Sequence, residues 1–204
     1  MLTLYTAPGT CALAMHIVLE EVGAPYQLVK LDFASQGQRA PAYLAVNPKG
    51  RVPALATEQG VLTETPALLL YVAQLYPAAE LAPLGDPFAL ARVQAFNSYL
   101  CATMHVAHAH GSRGGRWADA AASHADMRGK VPQTMGECCA LVERDLLVGP
   151  WVLGDSYSVC DAYLYTIARW LEGDGVDPAG FPKLAAHMAA MAERPAVRQV
   201  LAAY

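Results

Sequence analysis

The hydrophobic period of this sequence changes once, near Pro77, and that change limits the fold more than any bulk property does. Before it, short runs of period two alternate with helical runs; after it, no pair of strand-like runs remains. A chain that reads β-α-β, a connection, then β-β-α has to form a small mixed sheet with helices packed on it. The long helical patterns that follow have to cover their apolar stripes on one another. The expected organisation is an α/β domain over residues 1–77, a linker over 78–86, and an all-α helical-bundle domain over 87–204.

In the first segment, Leu2 to Thr6 reads as a strand and Ala7-Pro8-Gly9-Thr10 as a turn. A helix is expected from about Cys11 to Val22, with Leu13, Ile17 and Val18 along one side and Gly23 as its stop. Tyr26 to Leu31 reads as a second strand, and Asn47 to Arg51 as a turn-rich stretch leading into Val52-Pro53-Ala54-Leu55. Ala54 to Thr57 and Val61 to Thr63, divided by Gly60, suit a hairpin. Thr65 then reads as an N-cap with Pro66 in the first turn, and Leu68, Val72, Leu75 and Tyr76 as one helical face.

In the second segment one helix is expected over about 88–110, with Val93, Asn97, Leu100, Met104 and Ala107 on one face. Another is expected over about 123–147, interrupted or preceded by Pro132. Tyr163 to Ala168 is apolar nearly all round and predicts a central helix, opened by the capping box Ser158-Val159-Cys160-Asp161. Asp161 is read accordingly as a folding residue. Val197, Val200, Leu201 and Tyr204 predict a short amphipathic closing helix.

Composition narrows the class of function. Over 204 residues, 54 % hydrophobic and 16 % charged content is globular, and a net charge of -4 with scattered Lys and Arg argues against a nucleic-acid partner. No apolar run approaches the ~20 residues that span a bilayer, and the first residues lack a signal-peptide pattern, so no membrane partner and a cytoplasmic location are expected. The five cysteines, at 11, 101, 138, 139 and 160, form an odd set without repeated spacing. That pattern fits thiols in a reducing compartment, not a disulfide framework or a zinc ribbon.

Four features carry chemistry. Cys11 stands where a tight turn hands the first strand to the first helix, and unpaired N–H groups at a helix N-terminus stabilise thiolates. Position 14 is Ala, so Cys11 has no resolving partner in a Cys-x-x-Cys pair; the other reading of it is a small cysteine that fills space. Val52-Pro53 is either an ordinary trans proline at a strand start or a cis proline, after which the Val52 backbone offers its N–H and C=O to an extended ligand. Glu64-Thr65 before a helix can receive the ammonium and carboxylate of a zwitterion, or can simply cap the helix. Gln94, Ser98, Cys101, His105 and His108 recur at helical spacing as a polar stripe, either solvated surface or a set that includes a histidine donor to a ligand. No carboxylate joins His105, His108 and His110, so no metal is expected.

Together these pieces resemble the cytosolic glutathione transferase family, and its beta (bacterial) class most closely. The resemblance runs through residues 4–11, 16–20, 47–55, 63–67 and 154–164, and covers essentially the whole chain. It implies a thioredoxin-like domain with a cis proline plus a helical bundle, assembled as a homodimer. It further implies glutathione as co-substrate, with Cys11 facing its sulfur, the Val52 backbone beside Pro53 contacting the cysteinyl part, and Glu64 and Thr65 at the γ-glutamyl part. His105 matches a histidine that reaches the site, and Ser98 takes a place where the class often has Asn. Thr10, in the turn, is carried over as a contact. Gln36 stands near where relatives place a lysine for the glycyl carboxylate, leaving that end to Gln36 or Arg39. Val106 likewise replaces a lysine, and Tyr5, carried over among the glutathione-binding residues, is expected by default to pack under the turn.

The expected activity is conjugation of glutathione to small apolar electrophiles, a detoxification reaction, in a cleft between the domains. Glutathione-dependent thiol–disulfide exchange or reductive dehalogenation through a Cys11–glutathione mixed disulfide is the alternative, and a non-catalytic ligand-binding module is a third. A maleylacetoacetate isomerase-like activity fits less well, because Gly9-Thr10-Cys11 replaces the Ser-Ser-Cys run of that group.

Overall fold

A computed structural model describes residues 1–204. It divides into two compact units, Met1–Leu90 with Ala192–Tyr204, and Ala91–Met191. The final helix, grouped by sequence with the helical domain, is therefore part of the first unit.

That unit is built from β1 (Leu2–Thr6), α1 (Ala12–Glu21), β2 (Tyr26–Lys30), α2 (Pro41–Val46), β3 (Ala54–Thr57), β4 (Gly60–Thr63) and α3 (Thr65–Leu75). The strand order is β2-β1-β3-β4. β1 and β2 run parallel because α1 carries the chain back between them, whereas β3 and β4 join antiparallel through a tight hairpin. Every residue of α1 from Ala12 to Leu19 is buried. A helix buried on all sides needs cover on all sides, which the sheet, α3 and α9 (Pro195–Ala202) supply.

Three expectations change here. α2 was not foreseen; its six residues bury only Tyr43, too few to leave a helical period in the sequence. The N-cap of α3 is Glu64, so Thr65 is already the first helical residue. Its buried face is Leu68, Leu69, Val72 and Ala73, and Leu75 points to solvent.

α9 is tied to α1 by polar groups that periodicity does not reveal. Arg194 donates two bonds to Glu21, at 2.6 and 2.8 Å. The Tyr204 hydroxyl bonds Thr6 Oγ1 at 2.7 Å and His16 Nδ1 at 3.2 Å, while His16 Nε2 meets the Tyr26 hydroxyl at 2.7 Å. Tyr26 in turn donates to Glu20, and Lys30 donates to the Ala203 carbonyl. Burial pushes His16 down to about 4, with Glu20 opposing and Lys30 adding to the shift. Between about pH 4 and the unperturbed 6.5, the unfolded chain binds a proton at His16 that the folded one refuses. Stability is therefore complete above 6.5 and declines as pH falls through that window. Denaturant melts at several pH values are expected to show the slope in the wild type and its reduction in His16→Gln; equal slopes would refute the assignment.

The second unit begins within α4 (Pro87–Tyr99), which passes through a π-helical turn, Leu100–Met104, into α5 (His105–Ser112). α6 (Ala121–Leu141) runs without a break through Pro132, correcting the expectation that Pro132 interrupts or precedes it. A π turn at Val142–Leu146 ends that segment. α7 (Val159–Ala168) is buried along its whole length, and its capping box is complete: Ser158 Oγ accepts from Cys160 N, and the Asp161 carboxylate accepts from Ser158 N. α8 (Pro182–Glu193), which the sequence reading did not single out, supplies His187 to the same carboxylate. No helix is long and apolar enough to cross a membrane.

Candidate functional site

The register of the sheet gathers the candidates of the first unit at one edge. Tyr5 of β1 pairs with Ala54 of β3, and Ala54 pairs with Thr63 of β4. The turn after β1, the segment before β3 and the residues after β4 therefore leave the sheet at the same end, carrying Cys11, Val52 and Glu64 respectively.

The first turn is closed by Thr10, whose hydroxyl donates to the Ala7 carbonyl at 2.7 Å, and by Gly9 at a φ of 70° that favours glycine. Cys11 is the N-cap of α1 and is 8 % exposed. Its Sγ donates to the Val52 carbonyl at 3.6 Å, so these two residues are already in contact. The Val52-Pro53 bond is cis, against the trans bond that most X-Pro pairs adopt.

The segment before Val52 is held by α2. The Tyr43 hydroxyl and Asn47 Nδ2 both donate to the Arg51 carbonyl, at 2.6 and 2.7 Å. Gly50 sits at φ 59°, and a Cβ there would lie 2.9 Å from the Gln38 carbonyl and 3.0 Å from the Arg39 guanidinium. Tyr5 packs on Tyr43 at 5.5 Å between ring centroids, in a cluster with Ala7, Ala12, Val52 and Ala54. It thus packs against Ala7 of the turn. Gln36 is exposed in the left-handed region, at φ 57°.

Glu64 adopts φ 77° and ψ 115°, a conformation that costs a non-glycine residue about 1–3 kcal/mol. Its carboxylate is engaged by Lys49, which also donates to Thr63 Oγ1 at 2.6 Å. The sequence reading treated Glu64 as an acceptor for a ligand ammonium; the structure supplies Lys49 as the resident cation. Thr65 is buried in the first turn of α3. Glu64→Gly removes the backbone strain and a surface ion pair that contributes little. It is therefore expected to raise the unfolding free energy by about 1 kcal/mol; a chemical melt showing destabilisation would refute the strain argument.

In the second unit the π turn alters the expected stripe. An i→i+5 turn holds one extra residue, so two turns back from His105 lies Asn97, not Ser98. Ser98 is exposed, while Asn97 is fully buried with neither amide atom hydrogen-bonded to protein. The sequence reading placed Asn97 among apolar neighbours; an asparagine on an apolar face was the signal available. The His105 ring lies 5.1 Å from Trp170, which also stacks on His108 at 4.3 Å. No group of three His, Cys, Asp or Glu side chains is placed to hold a metal ion.

The cysteines divide by environment. All five are thiols, and burial pushes Cys139 and Cys160 up to about 12, which keeps both protonated at neutral pH. Neither suits thiolate chemistry.

Comparison with known proteins gives the same picture. Residues 1–74 match the family "Glutathione S-transferase, N-terminal domain", and residues 128–195 match "Glutathione S-transferase, C-terminal domain". Glutathione S-transferase GstA of Escherichia coli O157:H7 is 32 % identical over 98 % of this chain and 97 % of its own length. The chain belongs to the glutathione S-transferase family. A glutathione transferase homolog from Sulfitobacter, solved with bound glutathione, is 50 % identical, with a TM-score of 0.97 over 100 % of this chain and 98 % of that one. The bacterial beta class glutathione S-transferase of Sphingomonas chungbukensis is 32 % identical, with a TM-score of 0.85 over 98 % of each chain. The glutathione S-transferase fold, a thioredoxin-like α/β domain with an all-helical one, is thus the fold of this chain.

Proposed function

We propose that this transferase conjugates glutathione to small apolar electrophiles, with the glutathione sulfur at Cys11. One observation carries the reading: Cys11 Sγ touches the Val52 carbonyl at the sheet edge from which Glu64 and Thr65 also project. An extended tripeptide lying along that edge meets the Val52 backbone with its cysteinyl residue and places its thiol near the N-terminus of α1. Its γ-glutamyl ammonium meets Glu64, and its carboxylate meets Thr65 and the N–H groups of α3. Gln36 or Arg39 takes the glycyl end, and Thr10 borders the thiol. In the second unit His105 is kept as a candidate on the resemblance to the beta class, and Asn97 joins Ser98 as a polar candidate.

In the reaction the glutathione thiol loses its proton to water, the thiolate forms a C–S bond to the electrophile, and the leaving group departs with its electron pair. Helix N–H groups stabilise the thiolate, each ~1.4 kcal/mol of differential stabilisation being worth tenfold in rate. Placement in the beta class rests on Cys11 and on the beta class relative described above. The reading sets the enzyme in a reducing cytoplasm, where glutathione is a thiol.

Titration calorimetry with glutathione tests the proposal. One site per chain is expected, weakened about tenfold in Glu64→Gln, because a charge-assisted contact to the ammonium contributes on the order of 1.5–3 kcal/mol. No heat from the wild type would end the transferase reading and revive a module that only resembles the family.

A homodimer is proposed as well. The first unit leaves Val61, Leu62, Leu75 and Phe88 exposed, Phe88 at 77 %, and large apolar side chains in water favour cover by a second chain. Sedimentation is expected to give the mass of two chains, shifting toward one in Phe88→Glu; a wild-type monomer would refute it.

A further inference from the structure

The second unit holds two histidine–aspartate pairs, and they differ in one respect that bears on function. His187 and Asp161 are both wholly buried, and that carboxylate is spent on capping α7. His108 pairs with Asp174 through Nδ1, 2.9 Å from both carboxylate oxygens. The Asp174 side chain is 6 % exposed and the His108 side chain 24 %. Nδ1–H donating to the carboxylate leaves Nε2 as the nitrogen available to a ligand, and Nε2 has no protein partner. The ring is held flat by stacking on Trp170, so its direction is set by two contacts.

His108 and Asp174 line a cavity of about 420 Å³, together with Ser112, Arg128, Gly111 and Gly175. Arg128 is fastened to the cavity wall through Nε, which donates to the Gly111 carbonyl at 3.1 Å. None of the ion pairs of the chain includes Arg128, so no carboxylate occupies its terminal amino groups. The other titratable groups around His108 are His105 on its own helix and, toward Asp174, the Cys139 thiol of α6. Ser112 makes no hydrogen bond to His108, so the group is not an assembled nucleophilic triad.

We propose that this cavity is a binding site for a small organic carboxylate. The planar guanidinium of Arg128 meets the two carboxylate oxygens as a fork. As an imidazolium, His108 donates Nε2–H to it while Asp174 balances the charge at Nδ1. The cavity lies within the size range of small-molecule sites. All its residues belong to the helical unit and none is among the glutathione contacts proposed above, so the site stands independently of that reading.

Benzoate, with neutral benzamide as control, tests this on the full chain. Titration with benzoate is expected to move the His108 ring-proton NMR resonances saturably, with benzamide giving no saturable shift. Arg128→Gln, an exposed position, is expected to weaken benzoate about tenfold, and His108→Gln to abolish the binding. Absence of saturation in the wild type, equal affinity in Arg128→Gln, or equal binding of benzamide would overturn the proposal. So would one-for-one displacement of benzoate by glutathione. Failure of glutathione to bind anywhere, with benzoate still bound, would refute the transferase reading alone.

Discussion

Replacing Asp161 by alanine is expected to lower the unfolding free energy by about 3–5 kcal/mol, the usual cost of removing one member of a buried polar pair. The carboxylate is wholly buried and accepts from four donors: Val152 N and Ser158 N at 2.8 Å each, His187 Nε2 at 3.1 Å and Ser158 Oγ at 3.2 Å. Alanine strips these groups of their acceptor where water does not reach them, and an unsatisfied buried donor costs about 1–3 kcal/mol. His187 is hit hardest, because its Nδ1 already has no partner. For a chain of this size the loss corresponds to a fall of about 10 °C in melting temperature. Calorimetric melts of wild type, Asp161→Ala and Asp161→Asn check it. Asn keeps the shape and one acceptor oxygen and is expected to lose about half as much. A fall below ~2 °C for Ala would show that the network contributes little.

The second large effect is chemical. With the glutathione sulfur at Cys11 as proposed, Cys11→Ala is expected to abolish formation of a mixed disulfide with glutathione while conjugation of a test electrophile stays within about tenfold of wild type. The split follows from where each stabilisation originates. In exchange, the Cys11 thiolate attacks glutathione disulfide, a Cys11–glutathione S–S bond forms and glutathione thiolate leaves; no other group replaces that sulfur. In the proposed conjugation the attacking sulfur belongs to glutathione, and the N–H groups of α1 assigned to its charge are left in place by the substitution. Cys11 moreover directs its own Sγ to the Val52 carbonyl. Mass spectrometry after glutathione disulfide treatment reads the first effect, and steady-state kinetics the second. A mixed disulfide surviving in Cys11→Ala would move the reactive thiol elsewhere. Conjugation at background would instead make Cys11 a direct participant in the transfer.

The local elements were legible because short-range rules govern them. β1 spans Leu2–Thr6 and β3 spans Ala54–Thr57, where alternation and turn formers placed them. The capping box of α7 needs only residues 158–161, and both of its bonds are present. α2 and the cap of α3 were less legible. The first is too short to carry a period, and the second turns on the positive φ of Glu64, which its residue type disfavours.

Cys11 joined to Val52 across 41 positions, and His108 joined to Asp174 across 66, have no trace in local pattern. The return of α9 to α1 is of the same kind, since it rests on Arg194, Tyr204, Glu21 and His16 meeting in space. The π turn displaced the polar stripe by one residue, from Ser98 to Asn97, because a helical wheel drawn at constant period assumes a turn that this helix does not keep. By itself, then, the sequence determined the change from a mixed sheet to helices, the hairpin and the buried capped helix, all consequences of side-chain period and hydrogen bonds within a few residues. Only the tertiary structure decided that the Val52-Pro53 bond is cis, that Lys49 sits on Glu64, and which of two histidine–aspartate pairs lines a cavity. Those outcomes depend on burial and on partners far away in the chain, which set the energy of a polar group more strongly than its neighbours in sequence do.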